Sequence, residues 1–151
     1  MSDFDIQEVL RDRTNLRNFQ FKFDYAYIDK HDNYNGRSME PVYRVKYNYD
    51  VFYKNEFVGF YENSIDENYP DEFYRCKGPN FSGVHVQLNE TELSALEFCL
   101  AINSDILFNK ETDKIILEKF SGYENGISID ELKEALGDKY PQGFSGIGSK
   151  I

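Results

Sequence analysis

The chain has 151 residues, 40% of them hydrophobic and 17% aromatic, as 13 Phe and 12 Tyr without Trp, and a formal net charge of −10. That length and apolar content suit a single domain over residues 1–151 with its own core, and exclude both a disordered chain and a disulfide-stapled miniature. No apolar run reaches the roughly 18 residues that a bilayer span requires, and the negative charge disfavours direct contact with DNA or RNA.

In chain order, Asp5 with Glu8 three residues on forms a capping pair for a helix from about Asp5 to Leu16, its apolar stripe being Ile6, Val9, Leu10 and Leu16. The run FQFKFDYAYID, residues 19–29, alternates as a strand with Phe19, Phe21, Phe23, Tyr25 and Tyr27 on one face and Gln20, Lys22 and Asp24 on the other. HDNYNG, residues 31–36, reads as a polar turn that exposes His31. Pro41 then opens a second strand in which Tyr43, Val45, Tyr47, Tyr49, Val51 and Tyr53 alternate. Lys54 and Asn55 reverse the chain into EFVGFYE, residues 56–62, which completes a three-stranded antiparallel meander.

Residues 63–83, with Pro70, Gly78, Pro79 and Gly83, form a long loop that holds a short strand around Phe73–Cys76, and GVHVQL returns to the sheet as a fourth strand. Asn89 and Glu92 make a capping box for a helix from about Glu90 to Ile102 that turns Leu93, Leu96, Cys99 and Leu100 to the core. ILFN, residues 106–109, looks extended, and Thr112–Phe120 fits helix or strand, with helix preferred. Ser128 and Glu131 cap a last helix lined by Ile129, Leu132, Ala135 and Leu136 and stopped by Gly137, beyond which residues 142–151 form a flexible tail. The fold class is α+β: a mainly antiparallel sheet of four or five strands, with helices at the N-terminus and in the C-terminal third.

Residues 106–141 thus order a strand, a helix, a short turn and a capped helix ending at Tyr140 and Pro141. In this they resemble the small peptide-binding winged-helix domain of peptide-modifying biosynthetic systems. The resemblance covers about a quarter of the chain, stops before that family's next helix, and implies peptide binding along a strand edge.

No complete catalytic, metal or nucleotide motif is present, so neither an enzyme nor a cofactor is expected. Cys76 and Cys99 form no CxxC and read as free thiols of a cytoplasmic protein, since the start MSDFDIQEVLRDR lacks the features of a signal peptide. Cys76 and His85 are residue types that can pair as thiolate and imidazolium, but no spacing singles them out. SGYENGISIDEL, residues 121–132, has the sixth-position Gly126 of a calcium loop but Leu132 where the bidentate Glu belongs. In the tail, Lys150 follows Ser149, the reverse of a phosphate loop, and no helix follows.

Charge placement is more informative. Residues 61–113 carry 11 acidic and 3 basic side chains, hence −8 of the total, while both flanks are nearly neutral. Within this third, YENSIDENYPDEFY interleaves Glu62, Asp66, Glu67, Asp71 and Glu72 with Tyr61, Tyr69 and Tyr74. Carboxylates steer toward Lys and Arg, and rings add contact area at low entropic loss. These eight residues are therefore the candidate contact site for a protein with a basic surface, such as a nuclease held by a bacterial immunity protein or a phage inhibitor. The alternative is a peptide adaptor that uses an exposed strand edge, with the Tyr-rich strand 42–53 as platform.

Overall fold

The computed structural model describes residues 5–34, 39–65, 71–76, 83–120 and 126–141. Five strands form one antiparallel sheet in sequence order: β1 (Phe19–Tyr34), β2 (Met39–Tyr53), β3 (Glu56–Asn63), β4 (Glu72–Arg75) and β5 (Val84–Val86). Helices α1 (Ile6–Leu10), α2 (Glu90–Asn103), α3 (Lys110–Lys119) and α4 (Ile129–Leu136) complete the α+β architecture.

The expected first helix is broken. α1 ends at Leu10, and Asp12 starts a separate 3-10 turn, Arg13–Asn18, by accepting from the Thr14 amide at 3.0 Å and the Thr14 hydroxyl at 2.7 Å. An Asp placed mid-run competes for backbone donors and so restarts the chain. The polar run after Ile28 does not turn at His31: β1 continues to Tyr34, and β2 begins at Met39 with Pro41 opposite Asp32. Lys54 and Asn55 both have positive φ, the two-residue reversal that matches strand twist.

Period-two reading fails at one residue. Asp24 is bulged out of the β1–β2 register, between Phe23 opposite Tyr49 and Tyr25 opposite Asn48. One extra residue exchanges the faces, so Ala26 and Ile28 enter the core while Tyr25 and Tyr27 turn to the opposite side. A second irregularity lies where β2 and β3 pair, next to Gly59. There a Cβ would sit 2.2 Å from the Tyr74 carbonyl oxygen, so only glycine lets β4 approach.

The helices cover one face of the sheet. Phe19, Phe21, Phe23, Val45, Tyr47, Tyr49, Val51, Tyr61 and Phe73 pack there against Leu96, Cys99, Leu100, Ile116 and Leu132 in one continuous core. Tyr47 donates to Asp113 and Tyr49 to the Ile106 carbonyl, each at 2.8 Å, so both phenols are buried without an unmet polar group. Residues 106–109 are not a strand: Phe108 stacks on Tyr47 with ring centres 4.4 Å apart, and Asn109 caps α3. Within 106–141 the described strand content is a single bridge at Ile127, and α3 packs on β2, so this segment contributes to the common core. Cys99 packs in the core, where burial pushes its thiol up to about 12.

The edge of β1 is partly closed. The Asp105 amide donates to the Phe21 carbonyl at 3.0 Å, the Asp105 carboxylate accepts from the Phe23 amide at 2.9 Å, and Ile127 bridges Ala26. Such cover shields an edge strand from unwanted pairing.

Candidate functional site

Strand alternation divides the acidic aromatic segment into an inner and an outer set. Tyr61 and Phe73 face each other across β3 and β4 on the helix side and are fully buried. Asp71 is buried as well, accepting from the Tyr61 hydroxyl, from Asn63 at 3.0 Å and from the Ser64 amide at 3.0 Å. Tyr61 and Asp71 therefore do not belong to a contact surface: one fills the core and the other satisfies three donors at the end of β3. Burial raises the Asp71 carboxyl above its ordinary range, opposed by those hydrogen bonds. Asp66, Glu67 and Tyr69 lie outside the described residues.

Glu62, Glu72 and Tyr74 do come together, on the face away from the helices. Glu62 of β3 lies opposite Glu72 of β4, and Tyr74 lies opposite both Phe60 of β3 and His85 of β5. Glu62 accepts from the Tyr27 hydroxyl at 2.9 Å and has Lys46 Nζ at 3.9 Å. Burial raises its carboxyl, against the pull of Tyr27 and Lys46. Glu72 accepts from the Tyr74 hydroxyl at 3.0 Å and faces His85 Nε2 at 3.6 Å. One polar row, Tyr27, Lys46, Glu62, Glu72 and His85, thus crosses all five strands.

Beside that row lies an aromatic cluster absent from the sequence-based site. Phe52, Phe57 and Phe60 meet edge to face, with ring centres 5.8 and 5.3 Å apart, and Tyr74 meets the His85 ring at 5.3 Å. All three phenylalanines are half-buried although the described helices pack on the other side of the sheet. Asp50, opposite Phe60, has its carboxyl pushed up to about 6 by burial first and by Asp24 second, with Lys22 opposing.

Charge on this face is unevenly matched. Asp29 pairs with Arg44 at 2.8 Å and Glu62 with Lys46, whereas among the described residues Glu72 is in no ion pair with Lys or Arg and Asp50 has only the longer-range field of Lys22, which lies opposite it on β1. Glu72, with more than a third of its side chain exposed, is the carboxylate best placed to receive a partner's cation. Among the described residues no group of three or more His, Cys, Asp and Glu side chains is arranged to hold a metal ion, and no helix is long and apolar enough to cross a membrane. No family model, curated protein or solved structure matches this chain.

The Tyr-rich strand 42–53 proposed as a peptide platform is internal, lying between β1 and β3; the edges of the sheet are β1 and β5. The missed residues had a signal. In β2 the outward positions Arg44, Lys46, Asn48 and Asp50 are polar, and Phe52 breaks that series one step before the turn to Phe57 and Phe60.

Proposed function

We propose that this chain is a protein-binding domain that docks a basic protein surface on the face of its sheet away from the described helices, with a nucleic-acid-handling enzyme as the partner class. The single observation that carries the reading is the coincidence of Phe52, Phe57, Phe60 and Tyr74 with Asp50 and Glu72 on a face that no described helix covers. A sheet face without a helical layer is normally polar, and half-buried rings clustered there supply apolar area for a contact surface. The rings supply apolar anchoring, while Glu72 and Asp50 accept Lys or Arg and so occlude a cleft built for phosphates. This face carries less free charge than the eight-residue site, because Asp71 is internal and Glu62 is already paired.

The test is affinity capture from host lysate with wild-type protein, with Phe60→Ser/Glu72→Gln and with a helix-side control, Glu134→Gln. A basic protein held by wild type and control, released by salt and lost by the face variant, is the expected result. Capture that ignores the face substitutions would overturn the proposal.

One observation favours the adaptor reading. Beyond Ala26 no described segment pairs with the outer edge of β1 from Ile28 to Tyr34, which leaves strand edge for an added peptide. Peptide addition there would vary little with salt, because backbone bonds dominate it, and salt thus separates the two readings.

A further inference from the structure

Helix α2 is apolar on two sides. Leu96, Cys99 and Leu100 enter the core with Ala95 packed at its margin, yet Phe98 and Ile102 form a second stripe and are 56% and 45% exposed. An amphipathic surface helix has one apolar stripe, so a second one is not explained by folding. The stripe forms one wall of an open groove of about 980 Å³, whose other wall is Leu10, Leu16 and the 3-10 turn.

Three arginines rim this groove: Arg11, Arg13 and Arg17. All are exposed, and none is in a salt bridge with a described carboxylate. In a chain of net charge −10 this is a local reversal of sign, made of half its six arginines within seven residues. The groove's own acid, Glu92, accepts at Oε1 from the Asn89 amide at 2.8 Å and from Gln7 at 3.3 Å, so three guanidinium groups face one carboxylate along the groove.

We infer that this groove binds an acidic amphipathic helical segment of another protein. From Thr91 to Ile102 the α2 wall spans about 16 Å at 1.5 Å per residue, or three helical turns. That length suits a helix laid in the groove with two or three apolar anchors, more than it suits a compact metabolite. Arginine forks receive carboxylates in pairs, which selects acidic flanks over basic ones. The groove lies on the helical layer, away from the sheet face proposed above, so one chain can hold two partners of opposite charge. Its failure would leave the sheet-face proposal standing.

The probe is a fluorescein-labelled 18-residue helical peptide with Leu and Phe at i, i+3, i+4 and i+7 and Glu elsewhere; a Lys counterpart and vesicles of phosphatidylcholine with phosphatidylserine are the comparisons. Anisotropy should show binding of the Glu peptide only. Binding should weaken about tenfold or more in Phe98→Ser and in Arg13→Glu/Arg17→Glu, and weaken as salt rises. Both variants alter exposed side chains, and an unchanged melting curve confirms folding. No binding, binding insensitive to both variants, binding of vesicles in place of the peptide, or self-association abolished by Phe98→Ser would each overturn the inference.

Discussion

Replacing Asp71 by Ala separates a structural carboxylate from a contact residue. In the folded chain its two oxygens receive the Tyr61 hydroxyl, the Asn63 side-chain amide and the Ser64 backbone amide. Truncation strands two buried donors, the Tyr61 hydroxyl and the Ser64 amide, and a third, the Asn63 amide, that is half-buried. Each unmet buried group costs about 1–3 kcal/mol, partly offset because a desolvated carboxylate is removed. A net loss of about 3 kcal/mol follows, and at roughly 2–4 °C per kcal/mol for a chain of this size the melting temperature falls by about 10 °C. Urea unfolding followed by tyrosine fluorescence and far-UV circular dichroism measures it. The pH dependence carries a sign. Burial lifts the Asp71 carboxyl above 3.8 in the folded state, so across that window the native chain binds more protons than the unfolded one. Its contribution is therefore largest below the unfolded value and declines as pH rises through the folded one. The deficit of Asp71→Ala should shrink between pH 4 and pH 7. A variant within about 0.5 kcal/mol of wild type, or a deficit that grows with pH, would refute the buried-acceptor account.

Asp50 should behave as a group held at a loss on the sheet face. With its carboxyl pushed up to about 6, Asp50→Asn is expected to raise the melting temperature by a few degrees at pH 7.5 and by little at pH 4, a modest gain because the group is partly screened by solvent. Gly59→Ala places a Cβ against the Tyr74 carbonyl and should destabilise by about 3 kcal/mol or detach β4, read by urea unfolding. Cys76 and Cys99 are both buried, so a thiol reagent should label neither in native buffer and both in denaturant, on the timescale of unfolding.

Elements with a local chemical signal were legible in the sequence. Asn89 with Glu92 and Ser128 with Glu131 form the reciprocal bonds expected of them, and the Lys54–Asn55 reversal joins β2 to β3. Misreadings arose where a nonlocal event reset the pattern. The bulge at Asp24 moved Tyr25 and Tyr27 to the far face, although the run FQFKFDYAY shows unbroken alternation. Likewise Tyr61 and Glu62 are neighbours in the same acidic segment, but one residue of strand rotation sends the first inward and the second outward. Composition identified this segment as rich in acid and rings; only strand phase sorts which of them meet a partner. The aromatic cluster escaped because Phe52 and Phe57 are separated by a turn whose effect is to bring them together.

The most direct measurement is site-directed photo-crosslinking from the sheet face. A benzophenone side chain installed at Phe60 or Tyr74, with one at Glu134 as the control on α4, should join the chain to a basic protein in host extract. The adduct should form from the two sheet positions, vanish at high salt and be absent from position 134. Adducts from position 134 alone, or the same yield from all three, would contradict docking on the sheet face away from the described helices.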